Sequence, residues 1–172
     1  MEQITFENTA ELKRTKEELE KALKVKITIK EKEVTIEGEA VDEYEASIVL
    51  GAIALGFSAK KALLLKNEEM IFRKLHIKDY TRRKNLSEIK ARLIGTGGKT
   101  KKTIEELSNT EIVIKNNEVG IIGEAESIDF ATTAIINIIR GSKQANVYHY
   151  LEEKNRINEE EDLGLKTSQN KK

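Results

Sequence analysis

The chain has 172 residues, room for one medium domain or two small ones, and its 30 Lys and Arg balance 30 Asp and Glu to a formal net charge of zero. It contains no Cys, Pro or Trp, so a disulfide framework, a cysteine metal site and a thiol nucleophile are all excluded, in keeping with a reducing, cytoplasmic setting. No apolar run is long enough to span a bilayer, and the opening Met1-Glu2-Gln3-Ile4 lacks the basic-then-apolar form of a signal peptide, so a soluble protein with no membrane partner is expected.

The apolar periodicity divides the chain into a series of elements. Residues 8–24 read as a helix with Leu12, Leu19 and Leu23 on its inner face. Val25, Ile27 and Ile29, then Val34 and Ile36, alternate with polar residues and predict a hairpin turning near Glu31-Lys32. Residues 42–65 follow as one long helix through Ala46, Val49, Leu50, Ile53 and Leu64, with Gly56 allowing a bend or a close helix contact. Ile71, Leu75 and Ile77 suggest a strand, and residues 79–84 a basic connection. Two short amphipathic helices, one through Leu86, Ile89 and Leu93 and the other through Ile104 and Leu107, then flank a glycine-rich loop. A second hairpin (Ile112 and Ile114, Val119 and Ile121) and a second long helix over residues 125–153 complete the series. Residues 156–172 are polar and charged, and a frayed or disordered tail is expected there.

This order of elements is a duplication. An offset of roughly 85 residues pairs Ile27-Thr28-Ile29-Lys30 with Ile112-Val113-Ile114-Lys115, and the segment from Glu33 to Ala40 with that from Glu118 to Ala125. Roughly a third of positions between residues 27 and 62 match their partners. The same offset sets Ala10-Glu11-Leu12-Lys13 opposite Gly95-Thr96-Gly97-Gly98, so the first copy lacks every loop glycine. So few residues precede that point that the first copy is expected to have lost the strand and the helix before the loop. The expected organisation is a degenerate unit over residues 1–68, a full unit over 69–155 and the tail.

Charge is unevenly spread between the copies. Residues 1–70 carry 11 basic and 15 acidic side chains, residues 71–110 carry 11 and 4, residues 111–150 carry 3 and 5, and residues 151–172 carry 5 and 6. A local basic stripe on a neutral protein is the pattern of a defined nucleic-acid site. It contains Arg82, Arg83 and Lys84, then Lys90 and Arg92, and then Ile94-Gly95-Thr96-Gly97-Gly98-Lys99 with Lys101 and Lys102. Glycines let a phosphate approach the backbone, and the start of the following helix favours an anion.

Three readings compete for the loop. A P-loop would use Gly98-Lys99-Thr100, but its first glycine position holds Leu93 and it should follow a strand. A G-x-x-G between two helices clamps single-stranded nucleic acid in a KH domain. A ligand-free turn between packed helices is the third.

Residues 71–155, read as strand, helix, G-x-x-G, helix, hairpin and long helix, resemble a type I KH domain. More narrowly, Arg82-Arg83-Lys84-Asn85-Leu86, the stretch from Ile94 to Lys101, Ile104-Glu105-Glu106-Leu107, Gly141-Ser142 and Val147-Tyr148 resemble archaeal members of the Partner-of-Nob family, also called Dim-two. The resemblance covers nearly all of the chain after residue 8. It implies an α+β fold of two tandem type I KH domains, each a small antiparallel three-stranded sheet packed on helices, the first truncated and degenerate. It also implies a monomeric ribosome-assembly factor that binds the 3′ end region of small-subunit rRNA and assists the Nob endonuclease, alongside other assembly or translation proteins, without catalysis of its own.

On this reading Gly95 to Gly98 admit the RNA backbone and Lys99, Lys101 and Lys102 balance its phosphates, with Arg82, Arg83 and Lys84 extending the track. Ile94, Ile104 and Ile112 offer an apolar floor for bases, and the strand from Glu111 to Ile114 offers backbone groups to base edges; ordinary core is the alternative for the isoleucines. The first copy is expected to serve as a scaffold or protein-docking surface. A KH adaptor in mRNA regulation or RNA decay and a protein-interaction scaffold remain alternative functions.

No catalytic residue, metal or cofactor is expected. His76 and His149 lie in different halves without an acid-and-nucleophile pattern, Glu105-Glu106 are adjacent on a helix and diverge, and the acidic run from Glu159 to Asp162 lacks Ca-loop spacing.

Overall fold

A computed structural model describes the backbone of residues 1–169 and side chains through residue 164. The elements are β1 (Glu2–Thr5), α1 (Ala10–Leu23), β2 (Lys26–Lys30), β3 (Glu33–Glu37), α2 (Ala40–Leu55) and α3 (Ala59–Ala62), then β4 (Met70–His76), α4 (Leu86–Ile94), α5 (Lys99–Ser108), β5 (Glu111–Lys115), β6 (Glu118–Glu124), α6 (Ala125–Ile139) and α7 (Gln144–Gln169). They form two antiparallel three-stranded sheets, ordered β1-β3-β2 and β4-β6-β5. The fold is α+β and repeats one unit twice.

The duplication holds at the level of individual hydrogen bonds. Lys26 faces Glu37 and Lys30 faces Glu33, while Glu111 faces Ile122 and Lys115 faces Glu118, so the two hairpins share one register at the offset seen in the sequence. Lys24 and Asn109 end α1 and α5 in the left-handed region, and Glu31 and Asn116 take it at the two hairpin turns. Glu20 accepts the Ile27 N–H at 2.8 Å, and Glu105 accepts the Ile112 N–H at 3.3 Å.

Both long helices break at matching glycines, where a single helix is expected from sequence in each case. Gly56 N–H bonds to Ile53 O at 3.0 Å and Phe57 N–H to Ala52 O at 3.1 Å, while Gly141 and Ser142 repeat the pattern on Ile138 and Asn137. This paired closure of the last helical carbonyls turns the chain and starts a new helix.

The first strand of the first copy is present, contrary to the expected loss. Thr5 pairs with Glu33 as His76 pairs with Glu118. Phe6 N–H then bonds to Lys32 O as Ile77 N–H bonds to Asn117 O. Thr5 is thus the equivalent of His76, at a shorter sequence offset than the one relating the hairpins, so a segment is missing from the first copy between β1 and α1. The short stretch Glu2–Thr5 suffices for β1, and the first copy lacks the counterparts of α4 and of the link that precedes it. Residues 10–13, opposite the glycine loop, are the first turn of α1.

Each copy has a core, with Leu12, Leu19, Ile27, Ile36, Val49 and Leu50 in the first and Ile89, Leu93, Ile104, Ile112, Ile121 and Ile135 in the second. The outer faces of the two sheets differ. In the first it is polar, with Gln3, Thr35 and Thr28 in one cross-strand row. In the second, Phe72, Ile122 and Val113 pack into the first copy's core, and Phe57 meets Phe72 edge-to-face at 6.1 Å. Gly120 sits on this face: a Cβ there would lie 2.4 Å from Leu55 Cδ2 and 3.0 Å from Phe57. Around this contact Lys61 pairs with Glu111 at 2.8 Å, and the Lys115 ammonium donates to Ala54 O at 3.2 Å, neutralising the end of α2.

The tail expectation fails for residues 156–169, where α7 continues as helix. Arg156 and Glu160 pair at 3.3 Å one turn apart, the kind of support a polar helix draws on. Residues 170–172 lie outside the described residues. No helix among the described residues is long and apolar enough to cross a membrane.

Candidate nucleic-acid interface

The glycine loop joins α4 to α5 through a tight turn. Gly95 takes φ 76°, Gly97 φ 62° and Gly98 φ 77°, with Gly98 N–H bonded to Gly95 O at 3.1 Å. The glycines serve different ends. A Cβ on Gly95 would meet Thr100 Oγ1 at 2.2 Å and its backbone N at 2.7 Å, so Gly95 is required by packing. On Gly97 or Gly98 a Cβ would meet nothing within 4 Å. The same fold holds Lys24 and Asn109 at comparable φ, so a non-glycine residue is tolerated in that conformation at a cost of about 1–2 kcal/mol. What bare Gly97 and Gly98 provide is an open approach to the backbone at the start of α5.

The P-loop reading is excluded by this geometry. The residues preceding the loop form helix α4 rather than a strand, and Leu93, at the position of the missing first glycine, is buried in the core.

Several bonds fix the loop. Arg92 donates to Ile138 O at 3.1 Å and to Ser142 O at 2.8 Å, bridging α4 to the break between α6 and α7. Gln144, in the first turn of α7, donates to Arg92 O at 3.4 Å and to the buried Thr100 hydroxyl at 3.2 Å. Thr100 and Gln144 are the positioning residues missed at the sequence level. Thr100 was legible only as the residue after Gly-Lys, and Gln144 carried no local signal.

The sequence-predicted cations fall into three groups. Lys99 and Lys102 are exposed beside the loop, with no ion pair among the described residues. Lys101 is half-buried and bonds to Glu105 at 3.0 Å, and Arg92 is engaged as described. Lys90 lies half-buried along α4, while Arg82, Arg83 and Lys84 are exposed in the link before α4. At about 1.5 Å per residue, α4 separates that triplet from the loop by roughly 13 Å, so the basic stripe runs along the helix with cations at both ends.

The expected apolar floor reduces to one residue. Ile104 is 1% exposed and Ile112 is 3% exposed, both in the second core, because the inner face of the sheet and the buried side of α5 meet there; Ile94 is 36% exposed beside the loop. Strand β5 is an edge, and the bond from Ile112 N–H to Glu105 shows that Ile112 and, two residues on, Ile114 direct their backbone groups away from β6. The glycine loop, the free lysines, Ile94 and this strand edge therefore belong to one unit of the fold.

Comparison with known proteins places this arrangement in a family. Residues 71–156 match the second KH domain of PNO1, described as a eukaryotic type KH-domain (KH-domain type I). The KH domain-containing protein of Methanocaldococcus jannaschii is 33% identical over 144 residues, covering 80% of this chain and 63% of that protein. The chain thus spans just under two thirds of this curated relative's length. The crystal structure of Dim2p from Pyrococcus horikoshii superposes with a TM-score of 0.81 at 33% identity, covering 88% of this chain and 98% of that one. The aDim2p chain of an a/eIF2alpha–aDim2p–rRNA complex from the same organism gives a TM-score of 0.82 at 33% identity, covering 90% and 93%. With the duplicated fold, the matched second domain and near-complete coverage of the Pyrococcus protein, this chain belongs to the PNO1/Dim2 family of KH-domain proteins.

Proposed function

We propose that the chain is an RNA-binding ribosome-assembly factor whose second KH domain holds a single strand of small-subunit rRNA near its 3′ end, and that it assists the Nob endonuclease there without catalysis of its own. The observation that carries this reading is the loop: Gly97 and Gly98 face open space, next to exposed Lys99 and Lys102 at the start of α5, which have no ion pair among the described residues. An RNA backbone laid over the glycines meets helix N–H groups, a favourable dipole and two ammonium groups. Ile94 gives a base an apolar surface, and the Ile112 carbonyl and the edge groups of Ile114 reach base edges, the Ile112 N–H being held by Glu105. Arg82, Arg83 and Lys84 take up phosphates at the far end of α4, with Lys90 between. Arg92 and Lys101 act indirectly, the first by fixing the loop and the second through Glu105. The rRNA in the complex of the Pyrococcus relative supports the choice of ligand.

Binding of single-stranded RNA carrying the 3′ end of small-subunit rRNA tests the reading. Lys99→Glu with Lys102→Glu is expected to weaken it about a hundredfold and to flatten its salt dependence. Crosslinking followed by sequencing of bound RNA should peak at that 3′ end; a flat profile over the rRNA would count against ribosome assembly while leaving RNA binding intact.

A further inference from the structure

We infer that the first KH copy carries a docking surface for a basic amphipathic segment of a partner protein, on the outer stripe of α2. The stripe is Val41, Tyr44, Ile48 and Gly51, spaced three and four apart and therefore on one helical face. Val41 is 71% exposed and Tyr44 63% exposed. Ile48 and Gly51 form one wall of a groove of about 390 Å³, whose other wall is Leu65, Met70, Ile71 and Phe72.

The duplication shows that the fold does not need these apolar side chains. At the offset that relates the hairpins, α6 holds Glu126, Asp129 and Thr133 where α2 holds Val41, Tyr44 and Ile48. Glu126, Asp129 and Thr133 are all exposed, and Asp129 is bound to Arg73 at 2.8 Å. At these three positions the unit is thus a solvated polar face in one copy and an apolar stripe in the other; at the fourth, Gly51 stands opposite Ile136. Contiguous exposed apolar surface of this kind marks a contact.

Charge identifies the occupant. Glu39, Asp42 and Glu45 flank the stripe, and Glu68-Glu69 immediately precede the groove-lining Met70. None of these carboxylates has an ion pair among the described residues; Glu43, by contrast, is taken by the Met1 ammonium at 2.8 Å. An apolar strip with an acidic rim selects apolar side chains flanked by Lys or Arg. The basic stripe lies on the other copy, so RNA and this segment do not compete for the same residues.

The test uses the full chain and a synthetic helical peptide of about 18 residues with Leu on one face and Lys on the other. Amide shift changes should cluster at Val41 to Gly51 and at Met70 to Phe72. Combining Val41→Glu, Tyr44→Asp and Ile48→Thr, each already hosted by α6, should weaken the peptide at least about tenfold and leave RNA affinity unchanged. If the combined variant does not fold, Ile48→Thr alone should produce the same shift in smaller measure. Replacing Lys by Glu in the peptide should abolish binding. Shift changes centred elsewhere, equal binding of the Glu peptide, or undiminished binding by a folded variant would overturn the inference. So would self-association of the chain that the variant abolishes, because the occupant would then be a second copy.

Discussion

The two copies keep one hydrogen-bond register and differ in what their surfaces offer. The first has Ala10 to Lys13 as a helical turn where the second has its glycine loop, and Val41 and Tyr44 where the second has Glu126 and Asp129. The outer face of the first sheet is polar, whereas that of the second is apolar and buried against its neighbour. Shared register with divergent surfaces means that the duplicated bonds specify the unit, while specialisation lies in short segments that the unit does not need in order to fold.

Paired substitutions at matching positions test this division between the copies. The largest effect should come from Ile27→Ala and Ile112→Ala, buried equivalents, each costing about 2–5 kcal/mol in chemical denaturation. Because Phe72 and Ile122 of the second copy lie in the core of the first, both variants should still unfold in a single transition, and two separated transitions would show independent domains. Next, Gly98→Asp should weaken single-stranded RNA about a hundredfold by setting a carboxylate where phosphate would lie, whereas Lys13→Asp, its counterpart on α1, should change affinity less than about threefold in the same titration. Gly120→Val should cost about 1–3 kcal/mol through collision with Leu55 and Phe57, measured by thermal unfolding, while valine at the matching Thr35 on the polar face should be near neutral.

The smallest effect concerns the pair joining the copies. The hydrogen bond to Glu111 holds the Lys61 ammonium above its ordinary value. A raised amine contributes stability that is fully present below the ordinary lysine range and is lost as pH rises through the raised value. Both side chains are substantially exposed, so the contribution is under about 1 kcal/mol. The stability difference between the parent chain and Lys61→Met, compared by denaturation near about pH 9 and about pH 12, should shrink at the higher pH.

The hairpins, the helices of the second copy and the duplication were legible because apolar periodicity and repeated segments are local signals. The glycine loop was legible for the same reason. Other features were not, the breaks at Gly56 and Gly141 among them. Residues 2–5 are too short to show alternation, and they become a strand only because β3 presents an open edge. The helix at 156–169 reads as solvated tail by composition, because its charged run outweighs the single i,i+4 spacing of Arg156 and Glu160 that supports a helix there. The contacts of Arg92 and Gln144 join positions far apart in sequence, a separation that no local pattern carries. Ile112 shows the converse limit: an isoleucine near the glycine loop reads equally as floor or core, and its burial places it in the core.

The segment missing from the first copy also bears on the order in which the chain folds. To close its first sheet the chain brings Thr5 to Glu33, whereas the second sheet needs His76 to meet Glu118, half as far again along the chain. The longer closure costs only about a few tenths of a kcal/mol more. It is, however, combined with later emergence during synthesis and with an apolar outer sheet face that has nothing to pack on until α2 and Phe57 are in place. The shortened copy is therefore suited to assemble first and to act as the template on which the second copy condenses.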